Sequence, residues 1–324
     1  MIEKCINIGD LLCVKIHATT NNFHDLSKRF LNIQFTDYYE FDIYYNEDTK
    51  FSIPPKGILA KPFRNSSYYV NEINGEIIAY SPAQNYSCEN LIIRNKNKIN
   101  ILCKSDCDSK VLIRLVTELI IRKLLEKKYF PIHASCVVKN KEAMLFFGPK
   151  NSGKSIALLK HVFLDKSYLM SNDITFVGKE KGQWFAFGLP YDITVDTSFF
   201  YQLIGNKKNL IYQKNILKYG SNKIRFNVSD FVNDFNTMMI WHAPISMVNY
   251  VNLSTEKDYS ENLNISSMNS IVYLKEYGKD NTFRFDDYLK LNDLHPEFDY
   301  ETFAKEIQFN KMEGNILKKY LRRQ

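Results

Sequence analysis

The chain has 324 residues, which is long for a single hydrophobic core, so we expect two domains. Its hydrophobic content of 45% and charged content of 24% are ordinary for a soluble globular protein. A net charge of +7 is mild at this size, so it suits a site for ATP or an acidic peptide and does not favour nucleic acid as a partner.

The N-terminus and the apolar runs predict neither a secretory signal nor a membrane span. Residues 1–7 carry an early acid without a long apolar region, and every apolar run is far shorter than the roughly 20 residues that cross a bilayer. We therefore expect a cytoplasmic protein. The six cysteines form no C-x-x-C pair, so we expect reduced thiols rather than zinc ligands.

Residues 1–106 are predicted to form a β-rich N-terminal domain. Asn74-Gly75 supplies the two positive φ angles of a type I′ turn, so the runs on either side predict a hairpin. Other patterns predict strands at 13–17 and 38–45, a short helix at 23–31 and a second hairpin around 95–98. The aromatic residues here suit the core and the sheet surface, and substrate recognition is an alternative role for this domain.

A long amphipathic helix is predicted next. Asp108 or Ser109 can cap its start, it runs to about Lys128, and Pro131 stops it. Apolar residues recur at steps of three and four and make one broad apolar face. We place the domain boundary just before this helix, so the second domain is 107–324.

Two apolar runs, 132–138 and 143–147, flank a short turn at 139–142. Strands joined in this way must be antiparallel. The strand that leads into the next motif is therefore paired with its sequence neighbour, which departs from an all-parallel layout. The predicted class is α/β with α+β character and a mixed sheet.

A phosphate-binding loop follows the second of these strands. The octet that fits the pattern G-x-x-x-x-G-K-[ST] is Gly148-Pro149-Lys150-Asn151-Ser152-Gly153-Lys154-Ser155. The two glycines let the backbone wrap so that N–H groups point at phosphate oxygens, and the helix that follows adds its N-terminal donors. Lys154 is expected to reach the β/γ-phosphates and Ser155 to bind Mg²⁺. The alternative is a surface loop beside a lysine.

Two further residues are candidates for the site. Asp173 closes the next apolar run, where a strand beside the loop strand commonly delivers an acid to Mg²⁺ or a base to the acceptor; the alternative is a turn-forming Asp. His133 starts the strand before the loop strand and shares a face with Ser135 and Val137. Its position brings it toward Gly148, although a lone strand histidine is equally well a satisfied core residue.

The remaining elements are predicted in less detail. Lys223 and Arg225 share one strand face and could clamp phosphates, although a solvated face is the simpler interpretation. The other predicted elements are a hairpin at 174–177 and 184–187, a helix at 197–206, a strand at 223–227, one or two strands at 238–251 interrupted by Pro244, a loop at 253–267, a strand at 271–274 and one or two helices at 298–321.

Residues 132–173 resemble a known family. Ile132-His133-Ala134 before a hairpin, the octet, a helix and then Tyr168 to Asp173 are similar to the catalytic domain of HPr kinase/phosphorylase. The sequence is more similar still to HPr kinase-related proteins found with ribosomally made peptides, including lasso-peptide kinases. The resemblance implies a P-loop kinase domain with a mixed sheet, akin to phosphoenolpyruvate carboxykinase. It covers 132–190 well, 191–324 loosely, and 1–106 by size and β character.

The resemblance implies that the loop from Gly148 to Ser155 holds ATP and Mg²⁺ and that His133 lies near the reacting phosphate. Ile156 follows the loop, where HPr kinase has an acidic residue. Asn172-Asp173 stands where the family has two consecutive aspartates. An amide cannot accept a proton as a base, so Asp173 would have to act in place of Asn172, or catalysis is impaired.

The sequence thus favours an ATP-dependent serine kinase for a peptide or small protein, for example a ribosomally made precursor peptide. Lys154, with Mg²⁺ at Ser155 and Asp173, would neutralise phosphate charge, and Asp173 with His133 would orient the acceptor hydroxyl. Two alternatives stay open: a nucleotide-binding regulatory module, which Asn172 motivates, and a small-molecule kinase on the same fold. Expected partners are ATP and a peptide, with no nucleic acid and no membrane, and the family's enzymes can be homo-oligomers.

Overall fold

The structure is a computed structural model of the full chain. It describes residues 1–8, 11–31, 33–34, 38–47, 49–54, 58–63, 66–83, 88–104, 109–197, 200, 217–218, 223–253, 260–278 and 297–314. The chain forms two compact units, which divide between Lys128 and Tyr129. The sequence analysis placed a boundary after residue 106, before the long helix, whereas the contacts group that helix with the first unit.

The first unit is a mixed β-sheet with two helices. Its strands are β1 Ile2–Ile8, β2 Leu12–Ala18, β3 Ile33–Gln34, β4 Phe41–Asn46, β5 Ile58–Phe63, β6 Ser66–Ile73, β7 Glu76–Ser81, β8 Asn90–Asn95 and β9 Lys98–Cys103. They are ordered β3-β1-β2-β4-β9-β8-β7-β6-β5. The predicted β-rich character is confirmed. Both predicted hairpins are confirmed as well, since β6 pairs with β7 and β8 with β9, and Asn74 and Gly75 have φ of 52° and 77°.

One helix of the first unit starts earlier than predicted, and the other starts at a predicted cap residue whose side chain does not cap it. Helix α1, Thr20–Ser27, starts earlier than expected because Thr19 and Asn22 form a capping box. Helix α2, Lys110–Glu126, follows Ser109, whose hydroxyl makes no cap bond and donates instead to Asp25 Oδ2 at 2.8 Å. The helix also ends before Pro131, so the proline does not stop it.

The cysteines are only partly as expected. Four of them are buried thiols that form no disulfide: Cys5, Cys13, Cys103 and Cys136. Cys88 is disulfide-bonded, so the expectation of reduced thiols throughout is wrong at this position. Disulfide formation depends on the approach of two Cβ atoms in space, which cysteine spacing in the sequence does not report. The sixth cysteine, Cys107, lies outside the described residues.

The second unit is built on a mixed sheet around one long strand. Its elements are β10 Phe130–Ile132, β11 Ala134–Lys139, β12 Glu142–Phe147, α3 Lys154–Phe163, β13 Tyr168–Ser171, β14 Thr175–Glu180, β15 Gln183–Gly188, β16 Ile193–Asp196, β17 Leu217–Lys218, β18 Lys223–Phe226, α4 Val228–Asp234, β19 His242–Asn252, β20 Ser260–Asn264, α5 Ser267–Tyr273 with a π-turn at Leu274–Gly278, α6 Tyr300–Glu306 and β21 Gln308–Glu313.

The main sheet runs β10-β14-β15-β19-β12-β11-β13, and β21 also pairs with β19, with β20 at its side. Strand β12 is parallel to β19 and antiparallel to β11, and β19 is parallel to β21. The predicted class, α/β with α+β character and a mixed sheet, is confirmed. A core of buried aliphatic and aromatic side chains, including Leu145, Phe147, Val248 and Phe303, packs against one face of this sheet.

Pro244 does not interrupt the predicted strand, and β19 is continuous through it. The proline lies opposite Phe185 of β15, and pairing with β12 begins one residue later at Ile245. At Pro244, β19 pairs with β15 on one side, and in the described residues no strand is paired with its other side. The N–H that proline lacks therefore interrupts no hydrogen bond between strands.

Three predictions for the last part of the chain are wrong. The predicted loop at 253–267 contains strand β20, and the predicted strand at 271–274 is helix α5 with its π-turn, which begins where Ser266 accepts a bond from the Asn269 N–H. Of the predicted terminal helices at 298–321, the described part up to residue 314 contains α6, and β21 follows it as a strand; residues 315–321 lie outside the described residues. The predicted helix at 197–206 falls mostly outside the described residues.

Candidate active site

The predicted phosphate loop lies between β12 and α3. Strand β12 ends at Phe147, opposite Tyr250 of β19, and α3 begins at Lys154. The predicted strand and helix on either side of the loop are therefore present. The three first N–H groups of α3 have no acceptor within the helix, as in every α-helix, so they are available to an anion.

Two glycines allow the loop to pack directly on the end of β19. Gly148 has φ of +151°, and a Cβ there would lie 2.5 Å from the carbonyl oxygen of Val251. Gly153 has φ of +97°, and a Cβ there would lie 2.8 Å from the Leu253 side chain. The Leu253 N–H also donates to the Ser152 carbonyl at 2.8 Å. The two positions thus require glycine for both conformation and space.

Lys154 holds its ammonium group inside the curve of the loop. Its Nζ donates to the carbonyl oxygens of Gly148 and Pro149, both at 2.9 Å, and the residue is buried. A loop that wraps around a cation at the start of a ten-residue helix fits a phosphate group. Ser155 and Ile156, in the first turn of α3, are half-buried, while Lys150 and Asn151 are exposed.

The structure brings His133 and Asp173 together. Ala134 lies opposite Phe147, so His133 precedes β11 at the end of the sheet from which the loop leaves. The chain between β13 and β14 reaches the same end, because Ser171 lies opposite Cys136. His133 Nε2 is 3.3 Å from Asp173 Oδ1, and the two side chains are 33% and 58% exposed. The predicted proximity of His133 to the loop end of the sheet is therefore observed, together with a carboxylate partner.

Asn172 is buried beside this pair. The residue is 8% exposed, and its Oδ1 has no hydrogen-bond partner in the described part of the chain. An ionised carboxylate in this place would lose its hydration without a partner, which is costly. A neutral amide loses less hydration energy in this position than an ionised carboxylate would.

Sequence reasoning missed the residues that hold this turn. Three buried hydroxyl residues, Ser135, Ser171 and Thr175, bond to backbone or to one another around Asn172. The available signal was weak: small hydroxyl residues at the ends of three strands next to the His133 and Asp173 positions. The same residue types are common at turns, so the pattern alone does not single them out.

Lys223 and Arg225 do not extend the site. They lie on β18, in a separate sheet ordered β16-β18-β17. Arg225 forms an ion pair with Asp192, with Nε 2.7 Å from Oδ2, and Lys223 is exposed. The arginine is thus engaged with a carboxylate rather than presented to a phosphate.

The described residues contain no group of three or more His, Cys, Asp or Glu side chains arranged to hold a metal ion. Mg²⁺ in nucleotide sites needs only one or two protein ligands besides phosphate oxygens and water. Ser155 and Asp173 provide the oxygen donors that this ion prefers. Among the helices in the described ranges, none has the length and apolar character of a membrane span.

Comparisons with known proteins add little. No protein-family model and no curated protein matches the sequence. Among solved structures, the chain is similar to the HPr(Ser) kinase/phosphatase from Coxiella burnetii, with 13% identical residues and a TM-score of 0.28 over 59% of this chain and 89% of the other. A similarity at this level does not establish an activity, so a function has to be argued from the site itself.

Proposed function

We propose that the protein is an ATP-dependent serine kinase of the HPr kinase-like type, acting on a peptide or small protein. The observation that carries the proposal is the juxtaposition at one end of the sheet. A loop that requires glycine at Gly148 and Gly153 wraps the Lys154 ammonium, and the His133–Asp173 pair lies at the same end of the sheet. Charge stabilisation and a proton acceptor are the two requirements of phosphoryl transfer to an alcohol.

The chemistry follows from the character of these groups. Asp173, exposed at 58% and paired with His133, accepts the proton of the acceptor hydroxyl. The hydroxyl oxygen then bonds to the γ-phosphorus as the bond to the β-phosphate oxygen breaks, and ADP leaves. Lys154 moves from the loop carbonyls to the phosphates and offsets their developing charge.

Mg²⁺, when bound through Ser155 and Asp173, would neutralise charge on the β- and γ-phosphates. Asn172 takes no part as a base, because an amide does not accept a proton. The role of the loop residues Pro149, Lys150, Asn151, Ser152 and Ile156 is to shape the backbone that surrounds the phosphates.

The test is phosphate transfer to peptides encoded next to this chain. We expect incubation with ATP and Mg²⁺ to add the mass of one phosphate to a peptide serine. Lys154→Ala should reduce the rate by about 10³-fold or more, because it removes the charge that stabilises the transition state. Mass spectrometry and labelled ATP measure the transfer.

A matched control is Lys160→Ala, which removes a buried lysine from the same helix outside the loop. Comparable loss in Lys160→Ala, with both variants folded, would contradict a specific role for Lys154. Transfer to none of the candidate peptides, despite tight ATP binding, would count against the kinase itself.

Asn172 supports a second candidate, a nucleotide-binding regulatory module without phosphotransfer. Tight nucleotide binding with no transfer to peptides or metabolites would favour it. Transfer to a metabolite alone would favour a small-molecule kinase on the same fold. A panel of peptides and metabolites with labelled ATP separates these outcomes.

The remaining parts of the proposal concern partners and location. The first unit is proposed to recognise the peptide, with no role for nucleic acid or membrane, and a homo-oligomer is expected from the family resemblance. A cytoplasmic location stays a prediction. The disulfide at Cys88 points the other way, since disulfides are rare in cytosolic proteins.

A further inference from the structure

Three buried hydroxyl residues surround the turn that carries Asp173. Ser135 on β11, Ser171 on β13 and Thr175 on β14 are 0%, 2% and 0% exposed. We call these three residues the hydroxyl clamp. They do not bind nucleotide or acceptor in the proposed reaction, so their function has to be sought in what they hold.

The clamp bonds to the backbone on both sides of the His133–Asp173 pair. Ser135 Oγ donates to the carbonyl oxygen of Asn172 at 2.5 Å, and Asn172 directly precedes Asp173. Thr175 Oγ1 donates to the carbonyl oxygen of Ala134 at 2.9 Å, and Ala134 directly follows His133. The two bonds therefore fix the two backbones from which the facing side chains extend.

The third member completes the connection. Ser171 Oγ lies 2.6 Å from Thr175 Oγ1. Either hydroxyl can be the donor in this pair, because Ser171 Oγ also lies 3.5 Å from the Ala134 carbonyl oxygen and can donate to it. All three strands are thus linked through hydroxyl groups in a buried place where a lost bond cannot be replaced by water.

Strand pairing holds the residues on either side of the turn, since Ser171 lies opposite Cys136 and Thr175 opposite Ile132, but the described pairs do not include Asn172 or Asp173. The pairing of β11 with β13 changes register between Cys136 and Val137, next to this point. The Asn172 Oδ1 atom is buried and makes no hydrogen bond in the described residues. The hydroxyl clamp adds side-chain bonds to this pairing, and the Ser135 bond is made directly to the Asn172 carbonyl oxygen.

We propose that the hydroxyl clamp positions Asp173 against His133, so that Ser135, Ser171 and Thr175 are positioning residues for proton removal from the acceptor. The inference rests on the proposed function. Its competitor is a purely structural role, in which the hydroxyls only satisfy buried carbonyls. The positioning role requires that the clamp affects catalysis through Asp173, whereas the purely structural role does not.

The first test is steady-state kinetics. Ser135→Ala and Thr175→Val should each lower kcat by about 10- to 100-fold, because small misplacements of a catalytic group cost that much. The KM for ATP should stay within about twofold. Thr175→Ser keeps the hydroxyl and should restore most of kcat. Ser270→Ala, which removes another fully buried hydroxyl that donates to the Ser266 carbonyl, is the control and should leave kcat unchanged.

A double-mutant cycle decides between positioning and structure. If Ser135 acts through Asp173, Ser135→Ala should lower kcat by less than about twofold in an Asp173→Asn background. An undiminished loss in that background overturns the proposal. A rise in the KM for ATP with unchanged kcat overturns it as well. The cycle uses Ser135→Ala, so it can be measured even if Thr175→Val does not fold.

A spectroscopic measurement separates failure of the clamp from failure of the kinase. The imidazole resonances of His133, assigned with His133→Gln, should shift in Ser135→Ala and Thr175→Val at fixed pH and remain in place in Ser270→Ala. If they shift while the wild type transfers no phosphate, the clamp stands and the proposed function fails. Unchanged His133 resonances in both clamp variants overturn the clamp, whatever the activity.

Discussion

The two ends of the sheet in the second unit each carry a histidine–carboxylate pair. At the loop end, His133 Nε2 lies 3.3 Å from Asp173 Oδ1. At the far end, His242 Nε2 lies 3.5 Å from Glu180 Oε1. The pairs are alike in chemistry and distance, yet only the first lies at the end of the sheet from which the Gly148–Ser155 loop leaves.

His242 and Glu180, the pair at the far end, contact neighbouring side chains. The Tyr129 hydroxyl donates to Glu180 at 2.6 Å and lies 3.0 Å from His242 Nε2, and Phe185 stacks on the His242 ring. Burial, and secondly the bond to Glu180, raises the pKa of Tyr129 far above its usual value. The carboxylate and the imidazole there are occupied with neighbouring protein groups.

The comparison teaches that a histidine–carboxylate pair is by itself no sign of catalysis. What differs is the backbone next to the pair. The loop end offers positive-φ glycines at Gly148 and Gly153 and the start of α3, whereas the far end offers the β14–β15 hairpin. Anion binding needs several backbone N–H groups that converge on one point. In a tight hairpin, the backbone N–H groups are instead hydrogen-bonded between the two strands.

The largest expected effect comes from removing each carboxylate in turn. Asp173→Asn should lower kcat by about 10² to 10⁴-fold, the usual contribution of a general base. Glu180→Gln should leave kcat within about twofold, because its pair lies at the other end of the strands. Labelled-ATP kinetics measure both variants.

Equal losses in Asp173→Asn and Glu180→Gln would remove the distinction between the two ends. To exclude unfolding as the cause, thermal unfolding of both variants should be recorded beside the kinetics. A loss confined to Glu180→Gln would place the active end of the sheet opposite to the loop.

A second effect separates the phosphate loop from an ordinary glycine turn. Gly153→Ala should weaken ATP binding by at least about tenfold, since a Cβ meets Leu253 at 2.8 Å and the loop must move. Gly182→Ala at the far end has a similar φ of +85° but open space around its Cβ. It should lose about 1 kcal/mol of stability from backbone strain and keep its ATP affinity.

Calorimetry of ATP binding and thermal unfolding distinguish the two substitutions. The similar φ values give both substitutions a comparable cost in stability, so a loss of ATP affinity confined to Gly153→Ala is specific to the loop. Unchanged affinity in Gly153→Ala would mean that the loop does not bind the nucleotide in this conformation.

The smallest expected effect is at the far end and depends on pH. Glu306 accepts bonds from Lys179 Nζ at 2.7 Å and from Trp184 Nε1 at 2.7 Å. The Lys179 bond, and then the Trp184 bond, lowers the pKa of Glu306 below its ordinary value of 4.5. A lowered carboxyl pKa stabilises the fold above that value, and the contribution disappears as pH falls through the folded-state pKa.

Glu306→Gln should therefore lower Tm at pH 7 by no more than about 2 °C, since exposed ion pairs contribute little. The difference from wild type should vanish at acid pH, where Glu306 is protonated in both states. Thermal unfolding followed by circular dichroism from pH 7 downward measures it. A difference in Tm that grows as pH falls would contradict a lowered pKa for Glu306.

Much of the site could be predicted because its signals are local. The octet from Gly148 to Ser155 is contiguous, and the short turn between 139 and 142 fixes the antiparallel pairing of β11 with β12. That pairing in turn brings His133 to the loop end of the sheet. The hairpins at Asn74-Gly75 and at 181–182 follow from turn residues for the same reason.

Other features escaped because their causes are not local. The segment 271–274 has the apolar residues of a strand, but Ser266 caps a helix there and Ser270 and Leu274 bury one helical face. Strand β21 forms because β19 offers it an edge, which no pattern within 308–313 reveals. The disulfide at Cys88 and the assignment of α2 to the first unit depend on distant contacts in the same way.

The sequence alone was enough to predict the glycine loop from Gly148 to Ser155, the mixed sheet and the candidates His133, Lys154, Ser155 and Asp173. Each of these depends on residues within a few positions of one another, where backbone geometry leaves few alternatives. Only the folded chain shows that Asp173 faces His133, that Asn172 is buried, and that hydroxyl groups from three strands bond around the turn. Such contacts join residues about 40 positions apart, as Ser135 and Asn172 show, and their formation is governed by packing of whole strands rather than by local preference.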